Sequence, residues 1–452
     1  MLLPYKKSRL SSVQIIVFFY ISSVMISSFL LMLPIFHQPG TTITYVDSLF
    51  TAASAISVTG LSPITISEVF NEGGIILLTF LFQIGGIGIM TLGTFFLMMM
   101  GQKIGLVQRK WIATDHNRPT MAGLVQLTRS ILVLTIIIEL VGTLLLGGYF
   151  LWSGYQPNWI SALYHGYFAS ISAFTNAGFD LYGNSLINFA GDFYVQSVTI
   201  LLMICGAIGF PVLIEINNYF ICKRNNQRFT FSLFTKITTL TYFALIVIGL
   251  ILFLLFENDI FLQGKSWIES FYYALFHSTT TRSAGLSTMD VSTLSTPTIF
   301  LLSALMFIGA SPSSVGGGIR TTTLFVLIAA IITNMRGRTS VKVFGRELVQ
   351  EDIMKSFMVF FVASFLVFSA VISLLWIEGL PMQQILFEVC SAFGTTGLSM
   401  GITSELSTPG KLILIFMMVI GRIGIINLLL FLKKDDSKDR YHYPKERVII
   451  GQ

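Results

Sequence analysis

Long apolar runs separated by short polar stretches organise the chain. They fall at 13–36, 75–100, 130–152, 194–221, 237–256, 298–335, 357–377 and 412–432. A run of roughly 20 apolar residues predicts a helix that crosses a bilayer. The run 298–335 departs from the rest, because "TIFLLSALMFI" and "LFVLIAAIITNM" are each too short to cross and "GASPSSVGGGIRTTT" (309–323) stands between them. It predicts a single crossing, broken midway. Between runs lie shorter segments such as "YVDSLFTAASAIS" and "WIESFYYALFHSTTT", helical in pattern but too short and too polar to span.

The short segments end in four related strings: "SAISVTGLS", "SAFTNAGFD", "TTTRSAGLS" and "SAFGTTGLS". In register on Gly60, Gly178, Gly285 and Gly397, they place Ser54, Ser172, Thr279 and Ser391 six residues earlier, and Phe50, Phe168, Leu275 and Phe387 ten residues earlier. A repeat at fixed offsets is the mark of a repeated structural unit. Each unit reads as outer helix, re-entrant half-helix, glycine loop and inner helix. The predicted fold is all-α and integral to the membrane, with four tandem units and eight crossings around one pseudo-fourfold pore. The expected units are 1–115, 116–232, 233–350 (with the intramembrane loop 309–323) and 351–432, followed by a cytoplasmic tail at 433–452.

Composition agrees, with mean hydropathy +0.77, 54% hydrophobic residues and 11% charged residues. Such values exclude an ordinary soluble domain. The first run follows Lys6, Lys7 and Arg9, yet it is too long for a signal peptide and lacks a small-residue cleavage site. Basic residues gather at the N-terminus and in 103–129, 223–236, 336–355 and 433–447, while the alternate loops carry Asp47, Asp180, Asp290 and Glu405. The positive-inside bias therefore predicts a multi-pass plasma-membrane protein with both termini cytoplasmic. Cys205, Cys222 and Cys390 show no paired spacing, the histidines are scattered, and no HExxH or G-x-S-x-G occurs, so no enzyme and no resident cofactor are expected. The short basic loops between spans suit lipid or a docking subunit, not nucleic acid.

Irregular backbone at membrane depth is tolerated where it lines a cavity, and glycine lets carbonyls turn toward an axis. The expected cation-binding filter is Val58-Thr59-Gly60, Asn176-Ala177-Gly178, Ser283-Ala284-Gly285 and Thr395-Thr396-Gly397, which holds no acidic residue and so favours a monovalent ion. Outer helix, pore loop and inner helix in four linked copies resemble the superfamily of K⁺ transporters formed by the bacterial Trk and Ktr membrane subunits and the fungal Trk proteins. Over residues 10–432, the length and "GASPSSVGGGIRTTT" resemble the Ktr membrane subunits most. The resemblance implies K⁺ as the transported ion and Na⁺ as coupling or activating ion. It also implies a homodimer on a cytosolic octameric ring of RCK-type subunits, with ATP or ADP bound by that partner.

The inner helices continue the register as "IGGIG" (84–88), "CGAIG" (205–209), "IGASP" (308–312) and "IGRIG" (420–424). The expectation is that only the third is broken, at Pro312 and at Gly316, Gly317 and Gly318, giving a flexible gate beneath the filter. Arg422, where other units have Gly86, Ala207 and Ala310, is expected to bond loop carbonyls as part of the gate, with an ion pair to Glu215 as the alternative. Arg282 is expected to brace the filter backbone against Glu388 or Glu269, and Glu139 has no evident partner. The competing function is a secondary transporter of a small organic solute that uses the broken helix as its binding site.

Overall fold

The computed structural model describes residues 11–88, 91–93, 105–115 and 123–432, together with Pro444 and Glu446. The expected tail at 433–452, the basic N-terminal residues, and parts of 75–100 and 103–129 lie outside the described residues.

Among the described residues, four helices are long and apolar enough to cross a membrane: Ser12–Leu31, Leu124–Trp152, Leu233–Glu257 and Gln350–Glu378. These are the outer helices, and their outward faces are apolar. On the fourth, Phe361, Phe365 and Phe368 follow helical spacing and are two-thirds or more exposed, the pattern of a surface meeting lipid rather than water. After each comes a half-helix: Tyr45–Ser57, Trp159–Phe174, Trp267–Thr280 and Met382–Gly394. Each half-helix runs into a glycine loop and then an inner helix, beginning at Glu72, Phe193, Thr296 and Thr408.

Local chemistry sets these boundaries. Thr44 and Ser266 accept N–H bonds at the starts of the first and third half-helices, and Ser266 completes a capping box with Glu269. The third and fourth inner helices both open with Ser-Thr-Pro, at 295–297 and 407–409. There a carboxylate at the end of the preceding outer helix takes the serine. Glu257 accepts from Ser295 N at 2.9 Å, and Glu378 accepts from Ser407 N at 3.1 Å. The third and fourth outer helices are thus tied to the inner helices of their own units.

The all-α expectation holds, with one small addition: a two-stranded hairpin, Lys342–Val343 with Arg346–Glu347, in which Phe344 and Gly345 supply the two positive φ values its tight turn requires. The structure corrects the expectation for the inner helices, which are broken in every unit. The second bends by 103° between Phe193–Ala207 and Phe210–Arg224, and the fourth by 97° between Thr408–Ile423 and Ile425–Phe431. The first ends at Ile87, before Gly88. The hinges Gly88, Gly209 and Gly424 share one backbone conformation, φ 97, 102 and 87° with ψ 131, 133 and 144°. Only glycine adopts it cheaply. The third unit replaces this one-residue hinge with the longer gap from Ile308 to Arg320, between Thr296–Phe307 and Thr321–Met335.

Candidate cation filter and the loop beneath it

The four glycine loops meet. A Cβ added to Gly60 would lie 2.6 Å from the Ala177 carbonyl oxygen, and one on Gly178 would lie 3.0 Å from that of Ala284. One on Gly285 would lie 2.2 Å from that of Thr396, and one on Gly397 would lie 2.1 Å from that of Thr59. The contacts run 60 to 178 to 285 to 397 and back to 60, a closed ring. The space a side chain would need is filled by the next unit's backbone, so glycine is required for close approach as well as for φ.

All four glycines have positive φ, between 71 and 94°. Two residues earlier, Val58, Asn176, Ser283 and Thr395 also have positive φ, from 46 to 83°. Four non-glycine residues in the left-handed region, at equivalent sites, store strain that surrounding contacts must hold. Hydroxyls on the half-helices provide such contacts. Ser54 accepts from Gly60 N and Ser391 from Gly397 N, both at 3.0 Å. Ser172 donates to the Phe179 carbonyl at 2.6 Å. In the third unit it is Thr280, not the expected Thr279, that donates to the equivalent Leu286 carbonyl at 2.7 Å. Thr279 turns back to Leu275 within its own helix.

The G-x-I-G motif divides its work between its two glycines. The second is the hinge. The first, Gly85, Gly206 or Gly421, packs against the end of its own half-helix, where an added Cβ would meet the carbonyl of Ile56, Phe174 or Phe393 at 1.8 to 2.3 Å.

Breaking four helices leaves their terminal carbonyls without partners in a medium that supplies none. The intramembrane loop and three arginines satisfy many of them. Ser311 N and Val315 N donate to the Ala207 and Gly206 carbonyls at 3.1 and 3.3 Å, and Gly318 N donates to Gly421 at 3.2 Å. Arg422 donates to the Gly85 and Gly86 carbonyls of the first inner helix and to Val315 and Gly316 of the loop. Arg282 donates to the Leu305 and Ile308 carbonyls at the end of the third inner helix. It therefore braces the break in the inner helix and not the filter backbone. Glu269 is occupied in its capping box, and Glu388 bonds Ser399 and Thr403 instead. Glu215 accepts from Ser232 N, so the alternative ion pair with Arg422 does not form. Glu139 does have a partner: Gln83 Nε2 donates to it at 2.6 Å.

Arg320 was not singled out from the sequence. Its guanidinium donates to Ser311 and Gly316 carbonyls, so Gly316 O receives both Arg320 and Arg422. Its signal in the sequence is an arginine that ends the broken segment of an apolar run, directly after three glycines and an isoleucine.

The sequence pattern of the TrkH family, described as cation transport protein, matches residues 6–442. The chain belongs to the TrkH family. It is 50% identical over 443 residues to the Ktr system potassium uptake protein D of Bacillus subtilis, covering 98% of each chain. It is 33% identical over 452 residues to the potassium/sodium uptake protein NtpJ of Enterococcus hirae, again over 98% of each. Among solved structures, the potassium transporter TrkH from Vibrio parahaemolyticus matches with a TM-score of 0.75 at 18% identity, over 95% of this chain and 87% of that one. That likeness establishes the fold.

In this TrkH-family chain the glycine loops wall one space, and the breaks of the inner helices with the intramembrane loop line another. The first is a vestibule of about 490 Å³, walled by Gly60, Gly178, Gly285 and Gly397 with Asp180, Asp290, Ser399 and Thr403. The second is a cavity of about 90 Å³ that Pro312, Gly318, Arg320, Arg422 and Gly424 help to line. Val315, Gly316 and Gly317 are buried. Gly316 packs on the Ser283 side chain and Gly317 on that of Thr395, too closely to admit a Cβ. Among the described residues no group of histidine, cysteine, aspartate or glutamate could hold a metal ion.

Proposed function

We propose that this chain is the K⁺-translocating membrane subunit of a Ktr-type uptake system. One observation carries the reading: four equivalent glycine loops close a ring in which each glycine abuts the next unit's carbonyl. The carbonyls of Thr59, Ala177, Ala284 and Thr396, with those of the flanking Val58, Asn176, Ser283, Thr395 and the four glycines, replace the hydration shell of a passing ion. The half-helices end at the ring, so their C-terminal dipoles favour a cation beneath it. No carboxylate lines the ring, which suits a monovalent ion.

The intramembrane loop closes this path. Gly316 and Gly317 lie directly under Ser283 and Thr395, and Arg320 and Arg422 hold them there. Opening requires the loop to withdraw and its carbonyls to exchange guanidinium partners for others. The guanidinium charges also oppose an ion in the cavity while the loop is in place.

The charge pattern of the loops and the family resemblance of the sequence support the rest of the proposal. The chain makes eight passes through the plasma membrane with both termini inside, works as a homodimer with a cytosolic RCK-type ring that binds ATP or ADP, and responds to Na⁺. The test is K⁺ uptake in cells lacking their own uptake systems, with and without Na⁺, and with and without a Ktr regulatory subunit. Uptake should depend on the chain and fall to background in Gly285→Ser and Gly397→Ser. K⁺ uptake no better than the empty vector would overturn the assignment.

A further inference from the structure

Glu139 faces inward from the second outer helix, 7% exposed, and meets Gln83 of the first inner helix. Gln83 Nε2 donates to Glu139 Oε2 at 2.6 Å. The other oxygen of each group, Glu139 Oε1 and Gln83 Oε1, is buried without a hydrogen-bond partner. Among the described residues no lysine, arginine or histidine lies within ion-pair distance of the carboxyl. The helices around it offer little charge. On the second half-helix the titratable neighbour is Tyr167, a phenol. The first inner helix holds Glu72 in its first turn, and the second holds Tyr194 and Cys205. On its own helix the nearest base is Arg129, ten residues or about 15 Å away.

The third unit shows what the fold itself asks for at this place. Ser170 Oγ on the second half-helix donates to the Glu139 carbonyl at 2.8 Å, and Ser278 Oγ on the third donates to the Ile246 carbonyl at 2.7 Å. Glu139 and Ile246 are therefore equivalent. Gly142 and Gly249, three residues on, agree, since each packs on the same serine of its unit. Gln83 stands two residues before Gly85, and Ile204 stands two residues before Gly206. The second and third units thus place Ile204 and Ile246 in one apolar cluster, where the first and second place an amide and a carboxyl. A site built to hold two isoleucines gives an ionised carboxylate one donor group and no compensating charge, which is unfavourable.

We propose that Glu139 is a proton-binding site, occupied at neutral pH, whose carboxylic acid pairs with the Gln83 amide through both ends. Protonation turns one carboxyl oxygen from acceptor into donor. That O–H donates to Gln83 Oε1, while Gln83 Nε2 still donates to the remaining carboxyl oxygen. One proton therefore satisfies both unpartnered oxygens and leaves no net charge in the membrane. The pair stands directly before the break in the first inner helix, whose Gly85 and Gly86 carbonyls receive Arg422. The proton thereby ties the helix that carries those acceptors to the second unit. None of this depends on which ion the filter passes.

Infrared difference spectroscopy of the purified full-length protein in lipid nanodiscs tests it. Wild type minus Glu139→Gln at neutral pH should show the C=O stretch of a protonated carboxylic acid, moving to lower frequency in deuterium oxide. The band should shift in Gln83→Leu, which removes the partner. In Gln83→Lys, which sets a cation opposite the carboxyl, it should give way to carboxylate bands. If Glu139→Gln does not fold, Gln83→Ile combined with Glu139→Ile, which copies the neighbouring interface, serves as the reference. Carboxylate bands in the wild-type difference spectrum would overturn the proton site. An acid band unmoved by Gln83→Leu would overturn the pairing.

Discussion

Ser283 Oγ accepts from the Gly317 backbone N–H at 3.1 Å and lies 2.7 Å from the Thr395 carbonyl oxygen, to which it can donate. One hydroxyl therefore joins the third filter loop, the fourth filter loop and the intramembrane loop. Ser283→Ala leaves the Gly317 N–H buried without a partner, at a cost of about 1–3 kcal/mol. That cost falls on the closed arrangement, so K⁺ flux from proteoliposomes without a regulatory subunit should rise. Flux equal to wild type would mean that the contact does not hold the loop.

Arg320 and Arg422 share the Gly316 carbonyl. Replacing either with Gln should raise basal flux and lower the unfolding midpoint. Because they share an acceptor, the double variant should deviate from the sum of the single effects. Additive effects in a double-mutant cycle would show that the two arginines act on separate parts of the loop.

Among glycines, position should matter more than residue type. Gly397→Ala drives a methyl group onto the Thr59 carbonyl, whereas Gly148→Ala, on the second outer helix, meets nothing within 4 Å. K⁺ uptake should be lost in the first and kept in the second, and Gly148→Ala should be neutral or slightly stabilising by helix propensity. Normal uptake by Gly397→Ala would exclude the ring as the ion path.

The hinge glycines allow backbone strain to be separated from crowding. Gly424 has φ 87° and no atom within 4 Å of an added Cβ, while one on Gly209 would sit 2.9 Å from the Pro312 carbonyl. Gly424→Ala should cost about 1–3 kcal/mol from conformation alone. Gly209→Ala should cost more, as a difference in unfolding midpoints.

Asp180 in the vestibule wall gives a pH signature. Burial pushes its carboxyl above the ordinary value of 3.8, against the opposing effect of N–H bonds from Tyr182 and Gly183. A group whose pKa rises on folding contributes stability below the unfolded pKa and loses it as pH rises through the folded one. Asp180→Asn retains an oxygen for both N–H bonds and removes the ionisation. Its midpoint should exceed that of wild type at neutral pH, with the gain shrinking toward pH 4. A gain independent of pH would assign the effect to packing.

Much of this was legible in the residues. The repeat register located the loops because close backbone approach at Gly60, Gly178, Gly285 and Gly397 admits one residue type only. The outer helices followed from apolar length. The hinges did not, because Gly88, Gly209 and Gly424 sit in apolar runs whose composition is equally that of a straight helix. What breaks them is a backbone conformation that leaves no mark on hydropathy. Arg282 and Arg422 were visible as charges in apolar surroundings, but their partners are main-chain carbonyls, which every residue has and no sequence displays. Thr280 replaced Thr279 because the third unit has one residue fewer between the bonding hydroxyl and the glycine.

The ring of glycines has a direction. Each loop rests on the carbonyl of the next, and the fourth rests on the first, so no unit is terminal and none can shift without unseating a neighbour. Four covalently linked copies differ two residues before the glycine, where they carry Val58, Asn176, Ser283 and Thr395. The glycine is the one position where every copy answers to another, and there the four remain alike.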